Sequence, residues 1–185
     1  MKCLMSILAA ATMAFAASAP VIQGMTSKQI AFRYSRPDAA PCTWAVSVNA
    51  DYSNPVADSG QDSAAEGIRW FVAGAGGALS PATVHYWQQT CGSEVYAGSF
   101  TTLAAGLTGT TDVYVSLGGA EKANGATFLW GPTPALGNQA TAVCKPRCSA
   151  VFTVDHDSLM FYNHWFKNGE DAITAPGVVR VMAIK

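Results

Sequence analysis

Apolar and polar residues alternate along most of the chain, and this alternation predicts a succession of β-strands. Residues 28–35 place Ile30, Phe32 and Tyr34 on one face, with small or polar residues on the other. A period of two with one apolar face is typical of a strand whose second face meets water. Residues 42–48 alternate in the same way and predict a second such strand.

The stretch from residue 79 to residue 102 predicts a β-hairpin. Residues 83–90 are mostly apolar or aromatic, residues 91–94 contain Gly92, and residues 95–101 run back. Glycine allows the positive φ of a tight turn, and β-branched and aromatic side chains fit a pleated, half-buried surface.

The second half of the chain repeats this order of elements. Its predicted strands are residues 112–117, 126–130, 140–144, 148–154, 159–166 and 178–184. Residues 145–147 are expected to close one hairpin and Asn168-Gly169 another, because Asn-Gly is a strong turn signal. In the first half, a strand is predicted at 68–73, and a long polar loop at 49–66 with a short edge strand near Pro55.

Composition and charge limit the classes of function. The chain has 185 residues, half of them hydrophobic and only 12% charged, with a net charge of −1. Ample apolar surface disfavours disorder. Nucleic-acid binding is not expected, because no basic stripe is present to release counterions. A weakly charged surface instead favours association with other surfaces or with itself.

The N-terminus has the pattern of an export signal. Lys2 precedes an apolar run at residues 4–15, and small residues follow, so we expect residues 1–19 to form a signal peptide. The run is too short for a membrane span, and no stable span is expected after cleavage. We therefore expect the mature protein to be secreted or displayed on the cell surface.

Four cysteines remain after the signal: Cys42, Cys91, Cys144 and Cys148. An even number in an oxidising compartment predicts disulfides, but four cysteines allow three pairings. A bridge between Cys144 and Cys148 would close a very short loop. Half a zinc site or free thiols are the alternatives for that pair, although no second ligand pair has the usual spacing.

Catalytic chemistry is not expected from the polar residues. His85 and His164 lie within predicted strands and are expected to be structural. The one local cluster is Asp155, His156 and Asp157, whose carboxylates and imidazole could hold a divalent cation in a loop. Neighbouring residues of an extended chain point to opposite sides, and Asp favours turns, so a turn is the preferred interpretation. No cofactor is expected.

Aromatic residues raise the question of a binding surface. The five tryptophans all fit inward positions of a β-sandwich. Tyr52, in the polar loop, and Tyr114, on a predicted strand, are the more exposed candidates and the possible binding residues. A row of exposed aromatics would indicate a sugar-binding platform or a protein interface.

Six stretches of the first half together have a familiar pattern: Ile30-Ala31-Phe32-Arg33-Tyr34, Cys42-Thr43-Trp44-Ala45-Val46, Leu79-x-Pro81, Thr83-x-His85-Tyr86, Thr90-Cys91-Gly92 and Gly98-Ser99-Phe100-Thr101-Thr102. In these stretches the first half resembles fibronectin type III-like domains of bacterial secreted and surface proteins. His85 stands where such domains often have a corner tyrosine. For the second half, only the order of the strands is similar.

The resemblance implies an all-β, immunoglobulin-like β-sandwich, with two tandem modules at residues 25–103 and 110–185 joined by the uncharged segment 103–111. It also implies that Cys42 pairs with Cys91, because their strands would be antiparallel neighbours. The expected function is a non-catalytic structural or adhesive module that binds an extracellular protein or itself. A carbohydrate-binding module that recognises glycan, or an accessory domain of a secreted hydrolase, is the alternative.

Overall fold

The computed structural model describes residues 18–35, 42–56, 67–74, 79–118, 122–144 and 147–185, and its regular structure is β throughout. The strands are Val21–Met25 (β1), Ile30–Ser35 (β2), Thr43–Ser47 (β3), Ile68–Ala73 (β4), Val84–Cys91 (β5), Glu94–Thr101 (β6), Thr110–Gly118 (β7), Gly125–Gly131 (β8), Asn138–Val143 (β9), Arg147–Asp155 (β10), Ser158–Asn168 (β11), Asp171–Ala172 (β12) and Arg180–Ile184 (β13). Within these residues no helix is long and apolar enough to cross a membrane. The predicted signal peptide lies almost wholly outside them and stays a prediction.

The first half forms a sandwich of two antiparallel sheets, with strand orders β1-β2-β4 and β3-β5-β6. The predicted hairpin is confirmed as β5 and β6, whose ladder runs from Val84 paired with Thr101 to Cys91 paired with Glu94. Gly92 adopts a φ of 62° in the turn between them. The inward side chains of both sheets meet in one core, which we call the first core.

Aromatic rings fill the first core. The ring of Phe32 lies 5.2 Å from that of Trp44 and 5.1 Å from that of Trp87, and Trp44 stacks on Phe71 at 4.2 Å. Trp87 has room because Gly98 lies opposite it on β6, where an added Cβ would approach the indole to about 3 Å. Trp44 and Trp87 therefore contribute to the first core, as predicted, whereas Trp70 faces away from it.

The second half forms another sandwich. One sheet has the strand order β12-β11-β8-β9, with β13 also paired to β11, and the opposite sheet consists, in the described parts of the chain, of β10 and β7. Phe128, Phe152 and Met160 are buried between the two sheets and form the centre of the second core. The all-β sandwich predicted from the sequence is thus the observed fold. That each half folds independently stays a prediction.

The two sandwiches pack face to face, so that four sheets lie in layers. The outer side of β2 and β4 contributes Ala31, Trp70 and Val72 to a third cluster, and the second half contributes Leu159 and Phe161. The prediction that the Ala31 side of β2 is wet is therefore wrong at Ala31, which is fully buried. The second sandwich covers that side, and the middle sheets are buried on both faces.

The predicted hairpin over residues 140–154 is also wrong. β9 pairs with β8 and β10 pairs with β7, so the chain changes sheets between them. Among the residues described at that corner, an isolated bridge between Cys144 and Cys148 joins the two strands.

The observed strands also differ from the predicted ones at the edges of the sheets. β1 was not predicted, because most of its side chains are exposed and a bulge near Gly24 interrupts its pairing. Residues 49–56, the described part of the predicted polar loop, contain no strand, and the Val56 N–H donates a hydrogen bond to the Val46 carbonyl oxygen at 2.7 Å. The Asn168-Gly169 turn joins β11 to the short β12, and β13 returns to pair with Ser158–Tyr162 after a longer loop.

Candidate functional site

Both predicted cysteine pairs are at bonding distance. Cys42 precedes β3 and Cys91 ends β5, and their Cα atoms lie 4.5 Å apart. Cys144 and Cys148 have their Cα atoms 4.0 Å apart at the corner between the second sandwich's sheets. Two disulfides indicate an oxidising environment. They serve to fix strands rather than to present reactive thiols.

Each histidine has a structural partner. His85 is buried, stacks on Phe100 with ring centroids 5.3 Å apart, and its Nδ1 lies 3.0 Å from the Thr83 carbonyl oxygen. His164 is partly buried beside Phe128. Burial, together with the positive charge of Arg180, lowers the pKa of His164, so this imidazole is neutral at pH 7.

The Asp155–Asp157 cluster is a turn, as preferred from the sequence. His156 and Asp157 connect β10 to β11, and Asp157 has a φ of 55°. The side chains bind separate partners: His156 Nδ1 lies 2.7 Å from the Lys185 carbonyl oxygen, whereas Asp157 turns inward to Ser27. Among the described residues no group of three metal-ligating side chains is found.

Asp157 joins the two halves of the molecule. Its Oδ1 accepts a hydrogen bond from the Ser27 N–H at 2.9 Å, its Oδ2 accepts one from the Ser27 hydroxyl, and the Lys28 Nζ lies 3.8 Å away. Next to it, the Gln29 Oε1 accepts a hydrogen bond from the Leu159 N–H at 2.8 Å. We call these contacts the Asp157 clamp. No local sequence pattern predicts this clamp, because its partners lie 130 residues apart.

The electrostatics of the clamp favour the carboxylate form. Burial alone raises the pKa of Asp157, but hydrogen bonds from Ser27 and Gly106, with the charge of Lys28, outweigh it. The pKa of Asp157 therefore lies below its ordinary value of 3.8. A group with a lowered folded pKa stabilises the fold above its unfolded pKa and loses that contribution as the pH falls through the folded value.

Asp157→Asn is expected to lower the free energy of unfolding at pH 7 by about 1–3 kcal/mol, because hydrogen bonds to a charged group are lost. Asn tolerates the positive φ, so the backbone strain is unchanged. The variant should also lose less stability than the wild type between about pH 5 and pH 3. Urea unfolding across this range measures both effects, with the exposed Asp155→Asn as control. Equal pH dependence of wild type and Asp157→Asn would contradict the assignment.

The outer face of the β7–β10 sheet carries the exposed aromatic candidate. Tyr114 is 77% exposed and lies opposite Val151, which is 51% exposed. Polar pairs flank them: the Thr153 hydroxyl donates to Asp112 at 2.7 Å on one side, and the Ser149 and Ser116 hydroxyls lie 3.3 Å apart on the other. This surface, which we call the Tyr114 face, is apolar at its centre and polar around it.

β7 has an open edge. Its only ladder among the described residues joins it to β10, so its other side presents unpaired backbone groups along nine residues. The inward side chains of β10 are all buried, whereas Val113 and Leu117 of β7 are only partly buried. The second core is therefore incompletely covered along β7.

The edge of β10 is less accessible. The bridge between Cys144 and Cys148 occupies the beginning of its outer side. At the other end of β10, Thr153, Val154 and Asp155 face Trp130 of β8 and Pro132 just after it across a pocket of about 230 Å³, so the bridge is the feature that restricts this edge. A strand can thus be added along β7 more readily than along β10.

Other aromatic residues offer no flat platform. Within the described parts of the chain, Tyr114 is the one aromatic side chain in the exposed class, and the five tryptophans are buried or partly buried. Tyr52, predicted to be exposed, is partly buried in a turn where its φ is 61°. The structure brings Tyr52 and Tyr114 into different sandwiches, so they do not form one site.

Comparison with known proteins identifies no family. No protein-family model matches the chain, and no curated protein matches it. Among solved structures it is similar to "Chimeric titin Z1Z2 functionalized with a KLER exogenous peptide from decorin", with 9% identity over 92% of this chain and 99% of that chain, and a TM-score of 0.28. A TM-score this low carries no argument, and the fold is described from this chain's own sheets.

Proposed function

We propose that this protein is an exported, non-catalytic binding module of a bacterial secreted or surface protein, and that it binds an extended segment of another chain by adding it to β7. The observation that carries the proposal is the open edge of β7, beside an incompletely covered core. In strand addition, backbone hydrogen bonds supply affinity and alternate side chains supply specificity.

Three features support this proposal. The two disulfides and the N-terminal apolar run fit an exported protein. The histidines contact backbone carbonyls or aromatic rings rather than a nucleophile, which fits a binding role. The β7 strand carries one charge, at Asp112, and contains neither the lysine nor the proline that commonly protects an edge strand.

Selection from a library of extended peptides tests the proposal. We expect enriched peptides to alternate β-branched and polar residues, because one side must cover Val113 and the other must join the Tyr114 face. Binding should slow hydrogen exchange at alternate amides of β7, which become hydrogen-bonded.

Two matched lysine variants make the test specific. Val113→Lys places a charge where an added strand would bury it, and binding of the selected peptides is expected to weaken at least about tenfold. Val143→Lys places the same side chain at an exposed position of the edge strand β9 and should leave binding unchanged. Equal binding to both variants, or protection of strands other than β7, would overturn the proposal.

A further inference from the structure

We infer that a second copy of this chain occupies the β7 edge, with the two β7 strands antiparallel and Tyr114 at the two-fold axis. This inference rests on the proposed function, since it names the partner that the open edge takes. The result would be one continuous four-stranded sheet, in the order β10, β7, β7 of the second copy and β10 of the second copy.

The first argument is the match of apolar side chains. A two-fold axis at Tyr114 overlaps the whole of β7, from Thr110 to Gly118, with its counterpart. On the inner side, Val113 then lies opposite Val115 of the second copy, and both are β-branched. The partly buried Val113 and Leu117 would thereby be covered by Val115 and Thr111 of the second copy, and the two second cores would become continuous across the axis.

The second argument concerns the Tyr114 face. Tyr114 and Val151 form one rung of the ladder in each copy. The axis brings the two tyrosines together, so that two isolated apolar pairs become one row of four side chains. Cross-strand aromatic pairs stabilise sheets, and an aromatic residue at the centre of an interface is a common anchor.

The third argument is electrostatic. In this register Asp112 lies opposite Ser116 of the second copy, so no like charges oppose each other. The end rungs of each copy pair Asp155 with Thr110 and Arg147 with Gly118. The overlap also places Asp155 and the second copy's Arg147 at opposite ends of one row, about 14 Å apart, where solvent largely screens their attraction. The electrostatic advantage of this register is therefore that it opposes no like charges. Moving the axis to Asp112 would instead place two aspartates opposite each other.

The occupant is a second copy rather than an unrelated strand because the edge is self-complementary on both sides. A two-fold interface requires one patch to match itself, and β7 does so in pattern, in charge and in length. Pairing through β10 is disfavoured because the Cys144–Cys148 bridge lies at the start of that edge.

A charge exchange within β7 tests the register. Ser116→Asp places a carboxylate opposite Asp112 of the second copy, twice per dimer, and should raise the dimer dissociation constant at least about fivefold. The double variant Asp112→Lys/Ser116→Asp converts each repulsive pair into an attractive one and should restore the wild-type constant to within about twofold. Sedimentation of the purified, oxidised full chain over a range of concentrations measures these constants.

A second pair of variants tests the position of the axis. Tyr114→Lys brings two ammonium groups together and is expected to weaken the dimer at least about tenfold. Val151→Lys, on the same face but one strand further from the axis, should change the constant less than about threefold. All four side chains are on the outer face, and thermal unfolding of each variant verifies that the monomer is folded.

The outcomes separate the inference from the proposed function. Restoration by the double variant, with a stronger effect at Tyr114 than at Val151, supports the dimer. A wild-type chain that is monomeric at every concentration, a double variant no better than Ser116→Asp, or equal effects of the two lysines would overturn it. If selected peptides still bind at β7 while the chain stays monomeric, only the identity of the partner is wrong. If neither occurs, the proposed function fails as well.

Discussion

Removal of the Cys42–Cys91 bridge is expected to lower the free energy of unfolding by about 4 kcal/mol. The bridge ties the start of β3 to the end of β5 across 49 residues of chain. In the chain-entropy model, a longer closed loop restricts the unfolded chain more and stabilises the fold more. The double variant Cys42→Ala/Cys91→Ala, compared with wild type in urea, measures the loss.

The Cys144–Cys148 bridge is the matched control. It spans only 4 residues, so the same model gives about 2 kcal/mol for Cys144→Ala/Cys148→Ala. Cysteines of both bridges are buried, Cys91 in the first core and Cys144 and Cys148 in the second, so the length of the closed loop is the main difference between them. If removal of the short loop destabilised the protein as much as removal of the long one, loop closure would not be the principal contribution of these disulfides.

The alternation of side chains predicted the outer strands well because each of them has one covered and one solvated face. β10 is the clearest case, with buried and exposed residues in strict succession from Arg147 to Asp155. The long hairpin of β5 and β6 was equally predictable, since Gly92 marks its turn and its side chains are typical of strands.

The same reasoning failed where both faces of a strand are covered. Ala31 looked like a solvent-facing residue because alanine carries little information about burial. Its environment depends on Phe161 and Leu159, more than a hundred residues away. No periodicity within β2 could show that another sandwich packs there.

The corner at Cys144 was misassigned for a different reason. Two strands joined by a short turn are predicted to pair, and the two cysteines are compatible with that arrangement. The disulfide holds the chain where it passes from one sheet to the other, and β10 pairs along its whole length with β7. Local sequence cannot distinguish a hairpin from a corner when the loop length is the same.

The proposed binding surface was only partly predictable. Tyr114 was identified as exposed because it alternates with Val113 and Val115 on its strand. The open edge beside it depends on which strands are absent from the β7–β10 sheet, which is a property of the whole topology. The Asp157 clamp is also a long-range feature, and Asp157 itself gives only a turn signal.

Truncation of Trp70 is expected to show whether the four layers unfold together. Trp70 is 2% exposed and contacts Phe161 edge to face, with ring centroids 5.4 Å apart. Trp70→Ala should lower the free energy of unfolding by about 3–5 kcal/mol, because a large side chain leaves a cavity between the sandwiches. The interface joins two units that each have a core of their own, so the variant is expected to unfold in two steps rather than one.

Phe152→Ala is the control variant for Trp70→Ala. Phe152 is equally buried, but it lies within the second core and contacts Phe128 and Trp130. Its truncation should cost a similar amount while leaving the interface intact, so any change in cooperativity should be smaller. Denaturant unfolding followed by both fluorescence and circular dichroism detects the difference, since the two signals separate when an intermediate is populated. Coincident single transitions in Trp70→Ala would mean that the Asp157 clamp and the remaining apolar contacts are sufficient to couple the halves.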